Sequence, residues 1–470
     1  KLPFQTTGSK IKEALIMMYV DFETVGRHDL KRVGAYKYLR DADILHCVAI
    51  RGNDCYIVQP MFPVKDDTLQ RIRDTFGLEP KVVDEPPADD VIVGHNIFEF
   101  DRILWEREGW PAPREWIDTM YEALYFGLPG SLDALGMLLF DEGKDLAGSA
   151  AIKRAQTKGG NYLKLAHDLI LFYCVKDVVL TNRLHEWLQP LVAKYLPETE
   201  RRQWEINHRL NSAGICIDKE LAEAIIASEQ EAKKRSAERA GMSQEALRSW
   251  KKVIKALHEL GVYVPDTRRY TLETWMDDPA LPDEAILLMQ ARLNMVRIAE
   301  KKALRALEAA VGDHVYGLLR YYGAHTGRAA SQLVQIHNLP RAPKNFDYDE
   351  ARKRVLAGEV LPPDHAAALL RAMIVPDHDK VVLCDFSAIE ARTLAWMAGE
   401  EDILDVYRKK EDLYKITAAK ILGKDPAAVN DYERQLGKIV VLACGYQMGP
   451  ERFGAVCQAF GVDPRKVGLT

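Results

Sequence analysis

From the N-terminus to about residue 190, short apolar runs at 15–20, 47–50 and 91–94 alternate with longer stretches whose apolar positions recur every three or four residues. Short apolar runs bounded by polar residues read as buried strands, and the 3.6-residue recurrence reads as amphipathic helix, so this part predicts an α/β domain. Beyond 190 the strand-type runs thin out. Over 198–310, charged residues, alanine and leucine recur at helical spacing; within 251–260, Val253, Ile254, Leu257 and Leu260 share one helical face. One more buried-type strand is predicted at 381–384, with helices after it. No internal repeat or low-complexity linker interrupts the pattern.

A chain of 470 residues, 47% hydrophobic and 28% charged, exceeds one ordinary core and fits two or three domains of a soluble globular protein. Its longest apolar runs fall far short of the ~20 residues a bilayer crossing needs, so no membrane span is expected. Residues 1–10 are polar without a signal-peptide core, and the seven cysteines show no paired metal-type spacing. A reducing, cytoplasmic setting with free thiols follows. The net charge of −5 argues mildly against a nucleic-acid partner, but acidic clusters that hold divalent metals can mask basic patches in the total. Lys233, Lys234, Arg235, Lys251, Lys252, Arg268 and Arg269 either track a phosphate backbone or line a solvated helix face.

Candidate chemistry sharpens this outline. The run LIMMYVDFET sets Asp21 and Glu23 two residues apart at the end of an apolar strand, so both carboxylates face the same side of a sheet. Two acids on one face repel, and a hard dication such as Mg2+ or Mn2+ relieves the repulsion. In GHNIFEFD a strand at 91–93 runs into Gly94, His95 and Asn96, and a helix starting near Ile97 carries Asp101. In LILFYCVKD, Tyr173 and Asp177 lie four apart in an apolar helix and project from one face; such a pair satisfies itself in a core or belongs to a site.

Taken in order, Asp21-x-Glu23, Asn96 with Phe100-Asp101, and Tyr173-x-x-x-Asp177 resemble the three motifs of the DEDD 3′-5′ exonucleases, in their tyrosine-bearing branch, over about 13–195. The resemblance implies a ribonuclease H-like α/β domain and two-metal phosphodiester hydrolysis of single-stranded DNA 3′ ends. It makes Asp21, Glu23 and Asp177 the direct ligands of two Mg2+ (or Mn2+) ions, with Asp101 reaching a metal mainly through water. Tyr173 would orient the attacking water, and Glu23 would sit between metal and terminal nucleotide. Asn96 and Phe98 would hold the frayed strand, Phe98 being equally a core candidate.

A second resemblance begins at GAHTGRAASQLVQIHNLPR (323–341), which is similar to a stretch of the family A DNA polymerases, with His337 and Leu339 replacing the usual Gln and Ile. In that family the stretch meets the primer-template minor groove, whose acceptors are placed alike for every correct pair. Arg328, Gln335, His337, Asn338 and Arg341 are its candidates here. VVLCDFSAIEAR resembles the family's motif A, which would give Asp385 both catalytic ions, the Phe386 carbonyl one position on a metal, and Glu390 a place beneath the sugar. ERQLGKIVVLACGYQMG resembles motif B on the fingers helix, with Arg434, Lys438 and Tyr446 close to one face for an incoming dNTP, and Lys438 placed to protonate departing pyrophosphate. Leu442 stands where many relatives carry an aromatic ring, and Tyr414 where many carry a phosphate-binding His. Both departures fit phage-type relatives.

The resemblance thus implies an α/β exonuclease domain followed by a mostly helical α+β partial polymerase domain with thumb, palm and part of the fingers. The expected division is 1–12 tail, 13–195 exonuclease, 196–315 palm start and thumb, 316–395 palm with motif A, and 396–470 fingers with motif B. The family's third motif, His-Asp-Glu, does not follow Tyr446, and His378-Asp379-Lys380 precedes motif A. The sequence therefore reads as a fragment or as one half of a split polymerase whose palm a second polypeptide completes. Expected partners are primer-template DNA, single-stranded 3′ ends and dNTPs, in the cytoplasm of a bacterial host if phage-encoded. Two rival readings remain: a stand-alone 3′-5′ exonuclease with a DNA-holding platform, and a catalytically silent DNA-binding subunit.

Overall fold

The computed structural model describes residues 17–158, 160–378, 380, 382–459 and 462–463; the expected tail at 1–12, residues 15, 16 and 381 of two expected strands, and Asp379 lie outside them. The chain divides into two compact units, 1–379 and 380–470.

In the first unit, β1 (Met18–Val25), β2 (Asp43–Arg51), β3 (Asp54–Val58), β4 (Glu79–Val83), β5 (Val91–Gly94) and β6 (Glu115–Asp118) form one mixed sheet in the order β4-β3-β2-β1-β5-β6. The β1–β2 and β2–β3 pairs are antiparallel, and the rest are parallel. β1 runs further than its apolar run foretold, because its pairing with β2 continues to Val25 opposite Asp43. Asp21 and Glu23 consequently lie inside the strand rather than at its end, and a bulge falls between Glu23 and Thr24.

Alternation along β1 sorts its side chains. Met18, Val20 and Phe22 enter a core with Cys47, Ala49, Ile92, Leu104 and Trp105, while Tyr19 joins Val48, Ile50 and Val93 on the opposite face. Against that opposite face the long helix Gly160–Tyr195 lays Leu171, Cys174, Val175 and Val178, spaced i, i+3, i+4 and i+7. Each such buried apolar side chain stabilises the fold by about 1.5–3 kcal/mol. Asp21 and Glu23 share the parity of Tyr19 and so face the same helix, which carries Tyr173 and Asp177.

One buried group works against this core. Glu122, on the helix Thr119–Tyr125, is fully buried, and neither carboxylate oxygen has a hydrogen-bond partner among the described residues. Burial raises its pKa from 4.5 to about 8, with Arg201 pulling the other way. Because the folded pKa lies above the unfolded one, the native state holds the proton between the two values, and stability declines as pH rises through that window. Glu122→Gln is expected to raise Tm above about pH 8, by on the order of 3 kcal/mol in stability, and to leave it nearly unchanged near pH 4. Thermal melts across pH test this; parallel curves for variant and parent would refute it.

Residues 198–310 are mostly helical, as the helical spacing of charged residues, alanine and leucine indicated. β7 (Ile215–Ile217), β8 (His314–Val315) and, much later, β11 (Ile374–Val375) make a three-stranded sheet in the order β11-β7-β8, and β9 (Leu319–Arg320) pairs with β10 (Ala330–Ser331). On the helix Trp250–Glu259, Val253 and Leu257 are buried, but Leu260 lies past the helix end and is 38% exposed. Lys233 departs from the basic-track reading: it is buried and paired with Glu300, whose carboxylate compensates the desolvated ammonium. Arg235, Lys252, Arg268 and Arg269 pair with Glu231, Glu245, Asp266 and Glu273, in keeping with a solvated helix face.

The described residues of the second unit are mostly helical. Its described residues include no strand, and Val382 and Leu383, expected in a buried strand, are coil, 82% and 89% exposed. An apolar run becomes a strand only when a partner edge takes its backbone hydrogen bonds, and none of the described residues of this unit offers one. The helices Leu413–Leu422 and Asp431–Cys444 meet at Gly437, where a Cβ would collide with the Tyr414 carbonyl oxygen. Among the described residues no helix is long and apolar enough to cross a membrane.

Candidate active site

Carboxylates from β1 and the long helix converge in the first unit. One oxygen each from Asp21, Glu23 and Asp177 lie within 4.8 Å of one another. They open into a cleft of about 1280 Å³ also lined by Asn96, Asp101, Lys144, Tyr173, Arg320 and Gln332. Asp101 heads the helix Asp101–Arg107, not one starting at Ile97; a short 3-10 turn, Ile97–Glu99, comes first. It is buried, and its Oδ1 accepts the Phe22 backbone N–H at 3.2 Å. The four acids named from the sequence are therefore brought to one place.

Their electrostatics follow from crowding. Burial and then the Asp177 charge raise the Asp21 pKa to about 7, partly offset by Lys144. Burial, then Asp21 and Asp177, push Glu23 well above the carboxylate range, and burial with Asp21 and Asp118 does the same to Asp101. Asp177 is also raised by burial, although Lys144 opposes the shift, and its Oδ1 has no hydrogen-bond partner among the described residues. Oxygen-only donors, mutual repulsion and an unmatched buried oxygen together fit a hard divalent cation.

Lys144 was not foreseen. Its ammonium donates to Tyr173 Oη at 3.0 Å and pairs with Asp177. Burial opposes its charge, but Asp177 and Asp21 outweigh burial and keep it protonated. Burial also keeps the Tyr173 phenol protonated. The Tyr173 helix packs closely on Leu146–Lys158 because Gly148 faces it; a Cβ there would strike the Tyr173 Cβ.

The loop carrying Asn96 is held by Asp118, another residue sequence reasoning missed. Buried at the end of β6, its carboxylate accepts N–H groups from Asn96 (2.9 Å) and Phe98 (3.3 Å) while capping the helix Thr119–Tyr125. An Asp immediately before a helical run is an N-cap signal that could have singled it out. Asn96 itself has φ 67, a left-handed conformation Asn tolerates better than most residues. Phe98 is 2% exposed and stacks on Tyr121 at 5.5 Å, so it belongs to the core and not to a strand-holding surface.

Arg328, before β10, and Gln335, His337, Asn338 and Arg341, in and around the 3-10 turn Ile336–Asn338 after it, are exposed in the first unit. Buried Val334 and Leu339 anchor that turn, Lys302 holds the Val334 and Gln335 carbonyls at 3.0 Å, and Arg371 holds those of Leu339 and Pro340.

In the second unit Asp385 and Phe386 lie exposed in coil before the helix Ile389–Ala398, which carries Glu390. Arg434 and Lys438 sit one turn apart on Asp431–Cys444. Arg434 reaches Asp412 at 2.6 Å and covers the Tyr414 ring at 5.2 Å. Tyr446 is not on that helix, which ends at Cys444 ahead of Gly445; its hydroxyl donates to Glu390 instead. Leu442 is 39% exposed on the same helix.

Comparison with known proteins adds to this geometry. The family model for DNA polymerase family A matches residues 218–460. The chain is 31% identical over 471 residues to the DNA polymerase of Bacillus phage SP02, covering 92% of this chain and 69% of that protein. It is 26% identical over 182 residues to DNA polymerase I of Chloroflexus aurantiacus, covering 39% of this chain and 17% of that one. Among solved structures, the POL domain of Pol1 from M. smegmatis, in complex with DNA primer-template and dNTP, is similar with a TM-score of 0.59 at 15% identity, covering 97% of this chain and 71% of that one.

Proposed function

The chain belongs to DNA polymerase family A, and from that premise we propose that it joins a 3′-5′ exonuclease at 13–195 to the thumb, palm and fingers elements of a DNA polymerase over 196–315, 316–395 and 396–470. The observation that carries the exonuclease reading is the convergence of Asp21, Glu23 and Asp177 in one cleft beside Tyr173. Asp21, Glu23 and Asp177 would hold two Mg2+ or Mn2+ ions, with Asp101 behind them. Such ions, when bound, generate a hydroxide near neutral pH and neutralise charge on the leaving 3′-oxygen.

The chain's own groups do the rest. Asp101, bonded to the Phe22 N–H, fixes the strand between Asp21 and Glu23. Protonated Tyr173 offers a donor to an attacking water, and Lys144 keeps that hydroxyl and Asp177 in place when no dication is bound. Asn96 and Arg320 line the cleft as donors for an unpaired 3′ strand. For nucleotide addition, Asp385 is the proposed metal ligand, with the Phe386 carbonyl beside it. Arg434 and Lys438 are the cations for a dNTP triphosphate, and Tyr414, Glu390, Leu442 and Tyr446 shape its pocket. The segment with Arg328, Gln335, His337, Asn338 and Arg341 is the proposed contact to primer-template.

The test is polarity. With Mg2+ and DNA labelled at its 5′ end, the chain is expected to produce a ladder shortened one nucleotide at a time from the 3′ end, faster on single strands than on duplex. Release of the label as a mononucleotide, or internal cuts, would overturn the exonuclease reading. Asp385→Ala, in the second unit, is expected to leave that ladder unchanged.

A further inference from the structure

We propose that Cys216, His314 and Asp377 form a binding site for a borderline transition-metal dication of the Zn2+ class, separate from the carboxylate cleft. The spacing of the cysteines in sequence gave no such indication; the site is assembled by the three-stranded sheet. Cys216 on β7 lies directly opposite His314 on β8, and Val375 on β11 lies opposite Cys216 from the other side. Residues directly opposite one another share a face, and Asp377 is two residues beyond Val375, so three separate segments deliver a thiol, an imidazole and a carboxylate to one side. The alternate positions Ile217 and Val315 point into the core, which turns Cys216 and His314 outward. Ligand atoms of the three residues lie within 4.8 Å of one another.

A Zn2+ ion bound by sulfur at ~2.3 Å and by nitrogen and oxygen at ~2.0–2.2 Å places tetrahedral donors roughly 3.3–3.7 Å apart, so rotamer changes suffice to close this set. Asp377 is 51% exposed and now receives His314 Nε2 at 2.6 Å, leaving it room to move. The His314 ring is already oriented, stacked with Tyr316 at 5.9 Å, and Tyr316 stacks in turn with Tyr36 at 5.6 Å. Three protein ligands leave a fourth position for water. On binding, the Cys216 thiol would lose its proton to solvent. Donor softness separates this site from the cleft: thiolate and imidazole select Zn2+ or Co2+, whereas the all-carboxylate cluster of Asp21, Glu23 and Asp177 suits Mg2+.

The experiment titrates the full chain with Co2+ in excess Mg2+ and follows the thiolate-to-cobalt charge-transfer absorption. One equivalent is expected to bind with that band, Zn2+ to bleach it and further Mg2+ to leave it. Cys216→Ser should abolish the band, His314→Gln should weaken Co2+ binding by more than about 100-fold, and Cys384→Ser, removing an exposed thiol of the second unit, should leave the band intact. Circular dichroism of each variant identifies any loss that is merely unfolding, and Asp377→Asn then serves as the replacement variant. No charge-transfer band at saturating Co2+, or a band that survives Cys216→Ser, would overturn the proposal.

Discussion

A chain with Asp21→Ala and Glu23→Ala together is expected to lose Mg2+-dependent 3′-end trimming by at least about 10³-fold, while melting at a higher temperature than the parent in metal-free buffer near pH 8. Both effects have one origin. The two carboxylates are crowded with Asp177 in a partly desolvated cleft, and their folded pKa values are raised, that of Asp21 to about 7. The native state therefore binds more protons than the unfolded chain between the usual carboxylate range and about pH 7, and stability falls as pH rises through that interval. Removing the groups removes the repulsion along with the cation ligands. The measurements are gel-resolved trimming and calorimetric melts in chelator at two pH values. A variant that trims normally defeats the assignment; one that trims poorly but also melts lower shows that the acids serve the fold and not the chemistry.

The second large effect belongs to Lys144. Its ammonium sits against Asp177 and Tyr173 and is held protonated by Asp177 and Asp21 despite burial. Lys144→Met deletes the cation bonded to Asp177 and Tyr173 and is expected to destabilise the metal-free protein by about 3–5 kcal/mol. Saturating Mg2+ should recover most of that loss, so the Mg2+-induced rise in Tm should be larger for the variant than for the parent. The Mg2+ concentration that half-saturates trimming should also drop, since a competing positive charge is gone. Equal Mg2+ effects on the two proteins would contradict the idea that this lysine neutralises the same carboxylates that the dications use.

Which of these features could be read from the sequence depended on how local the governing physics is. Strand parity put Asp21 and Glu23 on one face, and helical spacing put Tyr173 and Asp177 on another; the structure turns those two faces toward each other. Lys144 lies on the segment leading into Leu146–Lys158, in no recognisable pattern, and reaches the cluster only because Gly148 permits close helix packing. Lys233 looked like a surface cation because its partner, Glu300, is distant in sequence. The apolar run near 382 was read as a strand from composition alone, yet a strand requires a pairing edge, which no property of those residues reports. Likewise Cys216, His314 and Asp377 are far apart along the chain and meet only through strand order.

The rim of the carboxylate cleft is built from residues far along the chain. Arg320 and Gln332 stand on it, although both follow the long helix's end at Tyr195 by several intervening helices. The same junction is clasped by Arg32 Nε on Glu308 at 2.8 Å and by Lys37 on the Glu308 carbonyl at 2.6 Å. A chain cut after Tyr195 would keep the carboxylate cleft but lose part of its wall. The segment through Gln332 therefore belongs to the scaffold of the cleft, and the sheet bearing the carboxylates is not self-sufficient without it.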